Sequence, residues 1–190
     1  MFNLPRTWLA AALLPGLLGP LSPLQAGEII TAKVEHQEKR YFMEIEALID
    51  ADSIIVKRLL TDYNHLQRLN DIIKQSYIIY SLDDVSHRVY VKTKACITFF
   101  CKSIVQVQDI EELPGDVIVA TTVPEKSDFD YAHARWKIRA EGDRTRIYFN
   151  TDLKPSFWIP PLIGPPLIEG KLRKEALRTI EGLERLAGKS

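Results

Sequence analysis

The stretch at residues 164–188 reads GPPLIEGKLRKEALRTIEGLERLAG, and its spacing predicts one long amphipathic helix. At about 100° per residue, its apolar side chains fall within a sector of about 120°, the width of a core-facing stripe. They are Ile168, Leu172, Ala176, Ile180, Leu183, Leu186 and Ala187. Pro165 and Pro166 suit the first turn, because a first-turn N–H has no partner within the helix. Such a helix must bury its stripe, and the strands that precede it are the candidate partner.

Upstream of this helix, short strand patterns follow one another with turn signals between them. Residues 28–49 are strand-like, and Asp52 or Ser53 can cap the first of two short helices, the second lying at 63–70. Six further strands are predicted at 72–81, 87–97, 102–112, 117–123, 131–140 and 146–154. Short connections between successive strands favour an antiparallel meander. The sequence therefore predicts an α+β fold, in which a curved antiparallel sheet of about seven strands surrounds the long C-terminal helix.

The first 26 residues have the layout of a secretory signal peptide. Arg6 is the only charged residue before Glu28, and Ala26 offers a small residue at the cleavage point before Gly27. The apolar run between them is shorter than the roughly 20 residues of a membrane span and is interrupted by proline and glycine. We therefore expect a signal peptide at 1–26, one exported domain at 27–190, and a periplasmic or secreted location.

The charge balance argues against one large class of partners. Lys plus Arg and Asp plus Glu each number 25, so no basic field indicates binding to nucleic acid. The 190 residues suit one domain with one sizeable core. Nothing in the composition predicts the oligomeric state.

Cys96 and Cys101 are the two cysteines, and an even count in an exported chain favours a disulfide. Cys96 is in phase with Lys92 and Lys94, whereas Cys101 is in phase with Ser103, Val105 and Val107. We expect a bridge to require a bulge or an irregular turn at 97–100. Free thiols or a metal site are the alternatives, although no histidine lies close by in sequence.

Three segments carry a resemblance to a known family. They are ADS at 51–53 with LLTDY at 59–63, WKI at 136–138 with GDRTRI at 142–147, and the helix at 172–186 with its proline-rich entry. Together with the order of elements, they resemble the helix-grip fold of the START-like (SRPBCC) superfamily. The nearest branch is the one that groups coenzyme Q-binding and polyketide cyclase/dehydrase-type domains. The resemblance implies a cavity between sheet and helix for a lipid, quinone, sterol or polyketide-like molecule.

Small inward-facing residues make such a cavity physically reasonable, because one helix cannot fill a strongly curved sheet unless the inward side chains are large. Small positions expected to face inward include Thr93, Ala95, Thr121, Ala132, Ala134, Thr151 and Ala176. The predicted lining is Val91, Thr93, Val105, Val107, Val119, Thr121, Trp136, Ile138, Phe149, Thr151, Leu172, Ala176 and Ile180. The alternative is that the small residues only allow close packing of a solid core.

Two aromatic segments could form the entrance of this cavity. Phe99 and Phe100 are expected at a hairpin tip, and Phe157 and Trp158 precede the prolines that lead into the helix. If exposed, they predict transient docking on a membrane or a donor protein, because amphipathic aromatic side chains favour such interfaces. The alternative is that the second segment is a buried connection on the sheet edge.

No catalytic or cofactor signature is present. The sequence has no G-x-S-x-G elbow, no P-loop, no dinucleotide fingerprint and no histidines at metal-ligand spacing. The acid–base candidates are Asp62, Tyr63, Asp128, Asp130 and Asp152, none with an evident dry setting. The leading hypothesis is a carrier that sequesters a hydrophobic small molecule, with no cofactor and no metal. The alternatives are a cyclase/dehydratase-type enzyme that uses the same cavity, and a protein-interaction module with a filled core.

Overall fold

The computed structural model of the protein describes residues 27–97, 100–159 and 164–188. Its strands are β1 (Glu28–Gln37), β2 (Arg40–Ile49), β3 (Ile73–Ser81), β4 (Ser86–Ile97), β5 (Phe100–Leu113), β6 (Val117–Thr122), β7 (Phe129–Glu141) and β8 (Arg144–Pro155). Helix α1 (Ser53–Leu60) follows β2, and α2 (Gly164–Ala187) follows β8. Single 3-10 turns lie at Leu66–Arg68 and Pro124–Lys126. None of the described helices combines the length and the apolar composition that a membrane span requires.

All eight strands form one antiparallel sheet in the order β1-β2-β8-β7-β6-β5-β4-β3. The predicted α+β architecture, the meander from β3 to β8 and the long last helix are confirmed. The sheet has eight strands, not about seven, because residues 28–49 form a hairpin. Its turn places Glu38 at φ 57°, in the left-handed region. No glycine, proline or asparagine marks this turn, so the sequence contains no signal that would divide the segment.

The predicted short helices differ in outcome. Helix α1 begins as expected after Asp52, whose carboxylate accepts a hydrogen bond from the Ile54 N–H at 2.8 Å. The second predicted helix forms only one 3-10 turn, because this segment is hydrogen-bonded to β3 through side chains. The Leu66 N–H donates to the Ser76 hydroxyl at 3.0 Å, and the Asn64 side chain accepts from the Ile78 N–H at 3.0 Å. These bonds replace the continuation of a helix.

Helix α2 packs on β1, β2 and α1, and its C-terminal half is the better buried. Ile180 and Leu183 belong to the same buried cluster as Val56 and Ile147. Gly182 lies against the backbone of Leu69, since an ideal Cβ there would lie 1.9 Å from the Leu69 carbonyl oxygen. The end of α2 is therefore held by close packing.

Candidate functional site

The register of the sheet defines an inner face that points toward α2. One row of directly paired residues runs from Ile45 through Phe149 and Trp136 to Ile118. All four belong to the core cluster or pack against it, together with Ile180 of α2. The Trp136 and Phe149 ring centroids are 4.1 Å apart. Residues in phase with this row share the inner face.

One end of the space between the inner face and α2 is filled. Helix α1 and the second half of α2 close it, and the side chains there are buried without remaining access to solvent. They include Ala47, Ile49, Val56, Val89, Ile147 and Leu183, each 0 % exposed. This filled end carries the packing that stabilises the fold.

The other end is open. Trp136, Phe149, Leu172 and Ala176 pack against the core but keep part of their surface accessible to solvent. Strand β7 lies between β6 and β8, so the accessibility of Trp136 is not due to a position at the edge of the sheet. This accessible surface is the part of the inner face that the packing of α2 on β1, β2 and α1 leaves uncovered. We call the region between Ala134, Trp136, Phe149, Leu172 and Ala176 the chamber.

The register places nine of the predicted lining residues on the inner face or on the facing side of α2. They are Val91, Thr93, Trp136, Ile138, Phe149, Thr151, Leu172, Ala176 and Ile180. Ile138 and Ile180 are each 3 % exposed and lie in the buried cluster. The accessible ones surround the chamber.

Four predicted lining residues are wrong, because Val105, Val107, Val119 and Thr121 face outward. Pairing of Ile110 with Ala120, and of Ala120 with Ala134, puts the other phase of β5 and β6 on the inner face. The inward residues of these strands are Lys102, Ile104, Gln106, Gln108, Ile110, Glu112, Ile118, Ala120 and Thr122. The amide of Gln106 donates to the Thr122 hydroxyl at 3.0 Å.

Val105 and Val107 suggested an inward face for the wrong reason. The segment that connects β6 to β7 runs along β5 beyond the end of β6 and covers these two residues. The Val105 N–H donates to the Asp128 carboxylate at 2.7 Å, and the Val107 N–H donates to the Ser127 hydroxyl at 2.9 Å. Val107 is only 4 % exposed although it lies on the outer face. Its apolar character therefore reflects burial beside this connection, not contact with α2.

A cleft of about 520 Å³ lies at the open end, beside the β1–β2 turn and the start of α2. It is lined by His36, Glu38, Lys39, Tyr41, Asp130, Lys154, Pro155, Ser156, Phe157, Trp158, Ile159 and Pro165. Tyr41 is in phase with Met43 and Ile45, so it extends the inner face into the cleft. Trp158 is 79 % exposed. The sequence reasoning missed Tyr41, although its phase with Met43 and Ile45 was visible.

The predicted entrance residues are partly described. Phe99 lies outside the described residues, and only the backbone of Phe100 is described. Phe157 is half-buried, and Lys102 Nζ lies 4.7 Å from the centroid of its ring. Since Lys102 follows Phe100 closely on β5, this contact brings the β4–β5 hairpin and the segment before α2 to the same end of the molecule.

Cys96 and Cys101 form a disulfide with a Cα–Cα distance of 4.0 Å. They are directly opposed in a continuous β4–β5 register that runs to Ile97 and Phe100. The expectation that a bridge needs a bulge was wrong, because directly opposed residues share one face of the sheet and these two share the outer face.

The acid–base candidates are engaged in structural contacts. The Asp62 carboxylate lies 2.7 Å from His65 Nδ1, and the Tyr63 hydroxyl donates to the Glu112 carboxylate at 3.1 Å. Asp130 pairs with Lys154 at 3.0 Å, and Asp152 pairs with Arg40. In the described part of the chain, no three His, Cys, Asp or Glu side chains lie close enough to hold a metal ion.

Three solved structures illustrate the fold that this chain shares. A START superfamily protein from Mycobacterium smegmatis is 15% identical, with TM-score 0.64, over 78% of this chain and 97% of that chain. The Zhui aromatase/cyclase from Streptomyces sp. R1128 is 11% identical, with TM-score 0.67, over 79% of this chain and 94% of that chain. A STAR-related lipid transfer protein from Xanthomonas axonopodis is 14% identical, with TM-score 0.58, over 81% of this chain and 98% of that chain. In sequence, no family model and no curated protein matches this chain. The structural matches establish the START-like helix-grip fold.

Proposed function

We propose that this protein is an exported carrier that binds a hydrophobic small molecule in the chamber and shields it from water without chemistry. The observation that carries this proposal is the partly accessible Trp136–Phe149 pair on the inner face of interior strands. A guest that covers such a surface gains about 25 cal/mol for each Å² of apolar area removed from water. The lipid transfer protein of the same fold supports this reading by analogy.

Filling the chamber is expected to abolish binding. The mature protein should take up pyrene, and Ala176→Trp should weaken that uptake at least about tenfold, because the new indole occupies the space of the guest. Thr121→Trp adds the same side chain to the outer face and should leave uptake unchanged. Fluorescence titration measures the affinity, and thermal melting confirms that both variants fold.

Organic extracts of protein purified from cells provide the second measurement. We expect a co-purifying apolar compound in the wild type and its loss from Ala176→Trp when extracts are compared by mass spectrometry. An extract without such a compound, together with no uptake of pyrene by the wild type, would contradict the carrier proposal. A filled core, as in an interaction module, predicts that result.

A cyclase- or dehydratase-type enzyme is the second candidate, because the Zhui aromatase/cyclase shares the fold and Tyr41 is a buried titratable group beside the cleft. Burial raises the pKa of Tyr41, with a smaller contribution from Glu169, so its hydroxyl remains protonated at neutral pH. Among the described residues, none forms a hydrogen bond with this hydroxyl, so no base is positioned to activate it. We therefore rank the carrier ahead of the enzyme, because sequestration needs no activated group.

We place transient docking on a membrane or donor protein at Trp158 and Phe157. Trp158 exposes most of its surface at the rim of the cleft, and Lys102 lies beside Phe157. An exposed indole, with a cation over the neighbouring phenylalanine ring, suits a surface that is both apolar and anionic.

The surroundings of Gly27 support the proposal that cleavage after Ala26 releases the mature chain. The Gly27 N–H donates to the Glu184 carboxylate, whose Oε1 is buried without a partner among the described residues. An ideal Cβ on Gly27 would lie 1.4 Å from this oxygen, so glycine is the residue that fits. Burial, together with Asp50 and Glu181, raises the pKa of Glu184. An α-ammonium group at Gly27 would compensate this carboxylate.

Processing is therefore expected to stabilise the domain. The free energy of unfolding should be about 1 kcal/mol higher for a chain that starts at Gly27 than for a chain with a short N-terminal extension. Only the chain that starts at Gly27 pairs an α-ammonium group with Glu184. In Glu184→Gln, the difference should disappear. Urea denaturation measures the four proteins, and N-terminal sequencing of exported protein identifies the cleavage point. A mature chain that begins elsewhere, or an equal difference in both backgrounds, would refute this pairing.

A further inference from the structure

The Tyr41 hydroxyl is a buried donor without an acceptor. The side chain is 1 % exposed, and its oxygen has no hydrogen-bond partner among the residues that the structure describes. Buried hydroxyl groups are rarely left unpaired in folded proteins, because a lost bond to water is then not replaced. An unpaired buried hydroxyl beside a cleft therefore indicates a partner that comes from outside the chain.

The position of Tyr41 joins the two parts of the site. It continues the inner face of β2 beyond Met43 and Ile45, and it also lines the cleft with Trp158 and Pro165. The His36 ring lies 4.7 Å from the Tyr41 ring, on the side of the β1–β2 hairpin. A guest whose apolar body occupies the chamber would present one end of the molecule to this hydroxyl once a small shift of the cleft wall uncovers the buried oxygen.

The charges around Tyr41 restrict what that end can be. Glu169 on α2 is the charged group that acts on the Tyr41 hydroxyl, and it would repel a carboxylate or phosphate placed there. Lys39 and Lys154 line the cleft together with the acidic Glu38 and Asp130, and Lys154 is already paired with Asp130 at 3.0 Å, so the cleft has no excess of positive charge. Since the hydroxyl stays protonated, it acts as a donor. The surroundings favour a neutral acceptor oxygen over an anionic group.

We infer that Tyr41 donates a hydrogen bond to a neutral carbonyl-type oxygen, such as that of an ester or ketone, at one end of an otherwise apolar guest. This inference rests on the proposed function, since it requires a guest in the chamber. It assigns the cleft as the site of the polar end and Tyr41 as the residue that selects it. The ligand class is thus an amphipathic neutral molecule, not a free acid.

Three pyrene-labelled probes of equal chain length test this selection: a methyl ester, an alkane and a free carboxylic acid. The wild type should bind the ester about three- to tenfold more tightly than the alkane, the range that one neutral hydrogen bond supplies. The acid, measured at neutral pH, should bind more weakly than the ester. Fluorescence titration gives all three affinities.

Tyr41→Phe removes only the hydroxyl oxygen and should lower ester affinity to that of the alkane, while alkane affinity and thermal stability do not fall. Tyr131→Phe, at an exposed position of β7, is the matched control and should change none of these values. Binding of no probe by the wild type would refute the proposed carrier function itself. Equal binding of ester and alkane by wild type, or tighter binding of the acid, would refute the role of Tyr41 and leave the carrier function standing.

Discussion

Gly182→Ala is expected to lower the free energy of unfolding by about 3 kcal/mol, because the added methyl group meets backbone that cannot move aside cheaply. An ideal Cβ at this position would lie 1.9 Å from the Leu69 carbonyl oxygen and 2.8 Å from its carbon. Helix α2 or the segment that contains Leu69 would have to shift. Urea denaturation followed by circular dichroism measures the loss.

Gly170→Ala is the matched control on the same helix. An ideal Cβ at Gly170 has no other atom within 4 Å, so alanine there adds only helix propensity. We expect the free energy of unfolding to rise by up to about 1 kcal/mol. Opposite signs for the two substitutions are the expected result. Equal effects would mean that α2 does not lie against Leu69 as the structure has it.

Leu183→Ala is expected to cost about 3 to 4 kcal/mol of stability, because the side chain is 0 % exposed in the filled end and its removal leaves a cavity. Leu172→Ala, on the same face of α2 but at the chamber, should cost about 1 kcal/mol, since Leu172 is only partly buried. For pyrene uptake the order should be reversed, with Leu172→Ala causing the larger loss. The two measurements together test the division of the interior into a filled end and an open end.

A similar cost for both leucines, with no effect of either on uptake, would indicate a uniformly packed interior. The described contacts argue against that. The Asn70 amide donates to the Glu175 carbonyl at 2.9 Å and to the Thr179 hydroxyl at 3.2 Å, so polar bonds fix the middle of α2. Beyond this point toward Gly182, buried packing holds the helix. Toward the N-terminus, the inward side chains border the chamber, so under the proposed carrier function this half of α2 is the part expected to move when a guest enters.

Local periodicity was sufficient for most of the fold. The stripe of α2 and the strands from β3 to β8 could be predicted because each depends on residues a few positions apart, and the order of elements then resembled the helix-grip fold. Two features had no local signal. The Glu38 turn contains no turn residue, and the segment after α1 forms hydrogen bonds with β3, ten and fourteen residues away in sequence.

For the site, the sequence by itself determined that an apolar sheet face with Trp136 and Phe149 lies opposite a long helix with Leu172. The tertiary structure alone decided which phase of β5 and β6 faces inward, because both phases contain apolar residues and only pairing with Ala134 and Trp136 selects one. It also decided that Tyr41 is buried without an acceptor and that Glu184 meets Gly27. The physical reason is common to all three: burial and hydrogen bonding depend on neighbours that are remote in sequence, and no local pattern encodes them.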